Sequence, residues 1–313
     1  MTAPDTVAEA VVASAGIVLP PDPLPADGQW FDVKARLGRR GYRYLPESCH
    51  YLLAAARDAL AASGDEPERH AEERRGVVVG TNSAVAGLHA DIVRAVGGDG
   101  IDGLSPMTVP FFSVNLVAAK LSTEHRFKGF NLTVTSPRVA GLEAVHLAAG
   151  ALAAGRGDVV LAGGAEAPDP RAGDAVPESG AVLLLLRPAG AEGGTVVRTA
   201  LRFLPPRATG TPAGRERAGR MVRAALDGVC PAPPAAVHLV TDGSPTARTA
   251  ADAVRDWCGA ATRVTDAVTA VHAGALAPLR LLAHALRPDR PAPEAVVVAS
   301  GEGNLAFAAV DAR

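Results

Sequence analysis

The sequence predicts an α/β protein whose sheets are covered by helices on both faces. Three observations point there. Short runs rich in Val and Leu recur along the 313 residues, and longer Ala-rich stretches of helical period separate them. The strand-like runs are continuously apolar rather than alternating, as in strands buried on both sides. Hydrophobic residues make up 48% and charged residues 20%, enough for a sizeable core and incompatible with global disorder. Aromatic residues reach only 4%, so Ala, Val and Leu must build that core.

Taken in order, 11–19 reads as a buried strand closed by the Pro-rich loop 20–25, and 46–63 as an Ala/Leu-rich helix. The stretch 65–75 mixes both charge signs and reads as a solvated connection. Strands are expected at 76–80 and 131–135, a helix at 139–155, then strands at 158–162 and 180–187. Gly190, Gly193 and Gly194 mark a loose joint, dividing an N-terminal half (1–190) from a C-terminal half (191–313). Beyond it come a strand at 196–203, a helix at 213–228, a strand at 237–241 and helices at 246–257 and 271–286. Strands at 295–299 and 305–310 close the chain, and Pro-rich loops fall at 205–212, 231–234 and 288–293. Each half ends in two consecutive strands, a sign of a duplicated plan.

Lys and Arg total 31 against 33 Asp and Glu, so the basic excess of a nucleic-acid binder is missing. Cys49, Cys230 and Cys258 are odd in number and widely spaced, which speaks for a reducing compartment and against a disulfide framework or zinc site. The first ten residues lack a basic n-region, and the longest apolar run, 181–186, falls well short of the roughly 18 residues of a membrane span. A cytoplasmic protein with no membrane partner is expected.

Several motifs read as incidental. Residues 98–103 spell GxGxxG, but two aspartates would repel a pyrophosphate and Pro106 stands where a helix should begin, so a loop is expected. The tripeptide Arg156-Gly157-Asp158 lies between a helix end and a buried strand. Cys49 and His50 are neighbours about 100° apart on a helix, so they do not face each other as nucleophile and base. The eight histidines show no paired ligand spacing. Lys34, Arg36, Arg39, Arg40 and Arg43 cluster, and would serve either solubility or the docking of an acidic partner.

The most informative stretch is 131–167. A strand leads through the turn Ser136-Pro137-Arg138 into an Ala-rich helix, followed by the strand that ends in Gly163-Gly164-Ala165-Glu166. A strand handing a turn residue to a helix N-terminus is the geometry of a nucleophile elbow, which needs Ser or Cys at its tip. Here the tip is Arg138, a cation that cannot act as a nucleophile.

On these residues the chain resembles the β-ketoacyl synthases of the thiolase fold. The likeness extends over Trp30-Phe31-Asp32, 39–44, 77–81, Ser105-Pro106, Val109-Pro110, the motif 158–166 and 180–183. It implies a five-layered α-β-α-β-α fold with two similar halves. It also implies where the family's chemistry should sit. The catalytic cysteine falls on Arg138, and the first histidine falls on Asp242 of the Asp-Gly-Ser-Pro-Thr stretch. The second belongs near Val268 and Thr269, with only His272 to stand in for it, and the Phe of the C-terminal glycine loop becomes Glu302. Decarboxylative condensation needs a thiolate and groups that stabilise enolate and oxyanion.

Within the family this pattern resembles the chain length factor, the inactive partner of a type II polyketide ketosynthase. Its compact size, with no long insertion between Glu166 and Gly180, is similar to the highly reducing, polyene-making type. The resemblance implies a heterodimer with an active ketosynthase, substrates arriving on an acyl carrier protein, and neither metal nor redox cofactor. It implies an interface through 131–135 (including Asn131 and Thr133) and 105–116, and an acyl tunnel lined by Met107, Val109, Phe111, Phe112 and Val114. Adjacent side chains of an extended stretch point to opposite faces, so one of the two Phe residues should face the tunnel. Two rivals remain open: an acyltransferase or hydrolase using Ser136 or Cys49, and a homodimeric scaffold.

Overall fold

A computed structural model describes residues 7–25, 28–106, 111–172, 178–268, 274–287 and 293–311. The N-terminal half runs β1 (Ala8–Val18), α1 (Val33–Leu37), α2 (Glu47–Ser63), β2 (Arg75–Gly80), α3 (Ala86–Asp99), α4 (Leu116–His125), β3 (Asn131–Val134), α5 (Ala140–Ala153), β4 (Val159–Glu166) and β5 (Gly180–Pro188). The C-terminal half runs β6 (Thr195–Phe203), α6 (Pro212–Val229), β7 (Ala236–Thr241), α7 (Pro245–Trp257), β8 (Arg263–Val268), α8 (Leu276–Ala285), β9 (Glu294–Ala299) and β10 (Asn304–Val310).

The strand order, β3-β2-β4-β5-β1-β6-β10-β9-β7-β8, reads the same from both ends once the halves are superposed in sequence order. Pairing directions mirror as well. β3, β2 and β4 are mutually parallel, as are β9, β7 and β8, while the strands between them pair antiparallel. The duplication therefore has an axis between β1 and β6, where Ala8 to Val12 pair with Thr199 to Thr195.

Five layers follow from what each helix covers. α2 packs on β1, β4 and β5, and α6 and α7 pack on strands of the second half. α5 and α8 touch strands of both halves and each other, so they form the middle layer. Residues of one strand divide accordingly: Val160 and Ala162 of β4 face the middle layer, while Val159 and Leu161 face α2. With both faces covered there is no polar side to show, which is why the strands read as unbroken apolar runs.

The middle layer is close-packed at Gly141. A Cβ there would lie 2.4 Å from the Ala275 carbonyl oxygen and 2.7 Å from Leu279. Gly141→Ala is expected to destabilise by about 1–3 kcal/mol through overpacking. Gly150→Ala on the same helix, with open space around it, should instead gain up to about 1 kcal/mol of helix propensity. Urea midpoints of the two variants check this; similar values would show that the α5–α8 approach tolerates a methyl group.

Four expectations need correction. β8 was not anticipated: five of its six residues are exposed, so it carries no apolar run. The stretch 98–103 is no simple loop but the end of α3 and a 3₁₀ turn, Ile101–Gly103. Of the helix placed at 271–286, residues 271–273 lie outside the described residues, 274 and 275 are not helical, and α8 starts at Leu276. The glycine joint is held rather than loose, because Arg187 Nη2 donates to the carbonyls of Glu192 and Gly193.

Candidate functional site

The site forms where the C-terminal ends of β2, β3 and β7 meet the N-termini of α5 and α8. β3 ends at Val134, and α5 opens at Ala140 with the Ala140 N–H donating to the Ser136 carbonyl. Between them Arg138 adopts φ +64°, one of only two non-glycine residues with positive φ among the described ones. Left-handed backbone without glycine costs roughly 1–2 kcal/mol, so the surroundings must hold it. Gly80 allows the close fit, since a Cβ there would meet the Ala140 carbonyl at 2.1 Å. The elbow is thus built, with a cation at its tip.

Across the middle layer stands Asp242, directly after β7. Arg138 Nε lies 3.5 Å from Asp242 Oδ2, and the side chains are only 4% and 11% exposed. Asp242 also accepts from the Ser244 N–H at 2.9 Å and the Gly301 N–H at 2.7 Å. Burial alone would raise its carboxyl, but the Ser244 and Gly301 donors and the Arg138 charge outweigh that and hold it below the ordinary value. Gly301 belongs to the turn closed by the Gly303 N–H donating to the Ser300 carbonyl, with Glu302 exposed at its tip. One carboxylate therefore ties together the elbow, the α7 entry and the C-terminal glycine turn.

Glu166, fully buried at the end of β4, does the analogous work in the other half. It accepts from the N–H groups of Asn82 and Ser83, from the hydroxyls of Thr81 and Ser83, and from the Ala275 N–H ahead of α8. Glu178 completes the α8 N-terminus, accepting from the Leu276 and Ala277 N–H groups at 3.0 and 2.7 Å. Burial pushes its carboxyl up, and the neighbouring Glu166 charge adds to this. In the sequence this role of Glu166 is marked only by a lone acid ending an otherwise apolar strand.

The other candidates scatter. Cys49 is buried in α2 with its thiol pushed up to about 12 by burial, and Cys230 is likewise raised to about 12, so neither is an activated nucleophile. Burial of Cys49 inside α2, at 1% exposure, weighs against the Cys49 rival. Ser136 is half-buried two residues before the elbow tip. His50 is taken up by the Tyr42 carbonyl, His146 by Thr199, and His238 by Thr265 and Glu294. Thr269, His272, Met107 and Val109 lie outside the described residues. No group of three or more metal-ligating side chains occurs among the described residues.

Phe111 and Phe112 do part company. Phe111 packs half-buried against the α2 side of the core, while Phe112 is 56% exposed. Val114 is half-buried. β3 is an edge strand with Asn131 and Leu132 exposed, and the Thr133 hydroxyl is buried without a hydrogen-bond partner among the described residues. Lys34, Arg36, Arg39, Arg40 and Arg43 all face solvent around α1, Arg36 paired to Asp58. No helix among the described residues is long and apolar enough to cross a membrane.

Residues 26–181 match the family model described as beta-ketoacyl synthase, N-terminal domain. The chain is 34% identical over 121 residues to 3-oxoacyl-[acyl-carrier-protein] synthase 2 of Rhizobium meliloti, covering 38% of this chain and 28% of that enzyme. It is 30% identical over 136 residues to the synthase 2 of Vibrio cholerae, covering 44% and 33%. The matched stretch thus spans about a third or less of the length of these relatives. In three dimensions the chain is similar to the ishigamide ketosynthase/chain length factor, with TM-score 0.71 and 20% identity over 97% of this chain and 99% of that one. It is equally similar, at TM-score 0.71 and 17% identity over 98% and 100%, to a chain of a type II PKS acyl-carrier protein in complex with its ketosynthase bound to the hexaketide. These likenesses establish the thiolase-like fold.

Proposed function

Because this chain belongs to the ketoacyl-synthase family and carries its thiolase-like fold, we propose that it is a chain length factor: the non-catalytic partner of an active ketosynthase in type II polyketide biosynthesis, of the compact, polyene-making kind. The observation that carries this reading is the Arg138–Asp242 pair. Acyl transfer at an elbow needs a thiolate and a proton-managing imidazole. At this elbow a buried guanidinium, which is no nucleophile, stands where a thiolate would be needed, and it faces a carboxylate already engaged by it and by the Ser244 and Gly301 N–H groups.

The halves 1–190 and 191–313 are the two repeats of one inactive protomer, which lends structure rather than chemistry. The partner supplies the catalytic cysteine and histidines, and an acyl carrier protein delivers the growing chain in the cytoplasm. The basic cluster on and after α1 suits an acidic carrier. The unpaired edge of β3 and the exposed Leu132, Phe112, Val93 and Ile101 make up the interface. In that interface the stretch from Phe111 to Val114, with Phe112 as its exposed aromatic, walls the acyl tunnel.

Co-expression with a tagged ketosynthase from the same genome tests the proposal. A one-to-one complex is expected, with polyketide formed only when both chains are present. An obligate interface of this kind should bury more than about 2,000 Å². A well-behaved monomer at micromolar concentration in sedimentation, ignoring the ketosynthase, would refute it.

A further inference from the structure

A cavity of about 240 Å3 opens on α3, apart from the Arg138–Asp242 site, lined by His89, Ile92, Val93, Leu104 and Phe112. Four of its five lining residues are apolar, and Val93 is 71% exposed. The exception is used internally: His89 Nε2 lies 2.6 Å from the Phe112 carbonyl oxygen. A carbonyl only accepts, so Nε2 carries the proton and donates.

This bond joins the cavity's two walls. The segment carrying Phe112 is fixed from one side by Phe111, which packs against the α2 side of the core. From the other side it is fixed by the turn into α4, where the Leu116 N–H donates to the Ser113 carbonyl. Both anchors belong to the body of the protein. His89 ties the same segment to α3, the wall that Ile92 and Val93 supply. Without it the Phe112 ring could drift from α3 and the cavity would change depth.

We infer that His89 is a positioning residue for Phe112, and that it thereby sets the length of acyl tail the complex accepts. The inference rests on the tunnel reading proposed above. His89 touches no reacting atom; it acts through the ring that ends the cavity.

The test compares product lengths by mass spectrometry from the ketosynthase complex carrying Phe112→Ala, His89→Ala, His89→Leu or His89→Gln. Phe112→Ala should shift products longer by at least one two-carbon extension. His89→Ala should shift them the same way, and His89→Leu, which keeps bulk but has no donor, should do so even if the alanine variant fails to assemble. His89→Gln keeps an N–H donor and should return the distribution to that of the wild type. Adding His89→Ala to Phe112→Ala should change nothing further. If Phe112→Ala lengthens products but both His89→Ala and His89→Leu do not, or if His89→Gln behaves like alanine, the role of His89 is wrong while the tunnel reading stands. If Phe112→Ala itself leaves lengths unchanged, both fall.

Discussion

Asp242→Ala is expected to lower the stability of the isolated chain by about 3–5 kcal/mol, as removing one partner of a buried ion pair does. The Arg138 guanidinium, 4% exposed, cannot shed its proton to escape, and it loses the carboxylate it faces. The Ser244 and Gly301 N–H groups lose their acceptor in the same step. Asp242→Asn keeps an acceptor oxygen but no charge, so it should fall between wild type and alanine. The sign of the pH dependence follows from the carboxyl's lowered pKa. A carboxyl more acidic folded than unfolded contributes stability above its unfolded pKa and loses that contribution as pH falls through the folded value. The gap between wild type and Asp242→Asn should therefore be widest near neutrality and close in strong acid. Urea unfolding at a series of pH values reads it. Equal stability of wild type and Asp242→Ala at pH 7 would mean that the pair holds nothing together.

Arg138→Cys, assayed without a partner chain, is expected to form no condensation product. The elbow and the α5 N-terminus would favour a thiolate at that position. Asp242 would oppose it with a like charge, and on the proposed reading this carboxylate stands where the chemistry needs an imidazole. The new thiol should label slowly with iodoacetamide at neutral pH, more slowly than in an Arg138→Cys/Asp242→Asn double variant. Mass-spectrometric detection of extended acyl product from purified Arg138→Cys protein would overturn the assignment of this chain as non-catalytic.

Which parts of this protein could be read from its sequence has a physical pattern. Strands covered on both faces, such as 180–187, are apolar throughout and announce themselves, and the long helices α2 and α5 do so by their Ala and Leu content. α3 and β8 escaped because little of either is buried: only Ala86 in α3, and no residue of β8. Such elements owe their form to backbone pairing and to what abuts them, and neither leaves an apolar period in the chain.

The sequence by itself determined the fold class and, through family likeness, the five layers and the site positions assigned to Arg138 and Asp242. The first of these rests on local features: a strand, a turn and a helix, with Arg138 at the turn's tip. Only the tertiary structure decided that Arg138 and Asp242 are partners, 104 positions apart and in different halves, and that Gly301 shares the same carboxylate. It alone showed Glu166 repeating that arrangement at α8, and His89 gripping the Phe112 carbonyl. An ion pair or a hydrogen bond depends on distances of a few ångströms between atoms that the chain separates widely. Such distances are set by how the two halves close around α5 and α8, and no spacing along the chain encodes them.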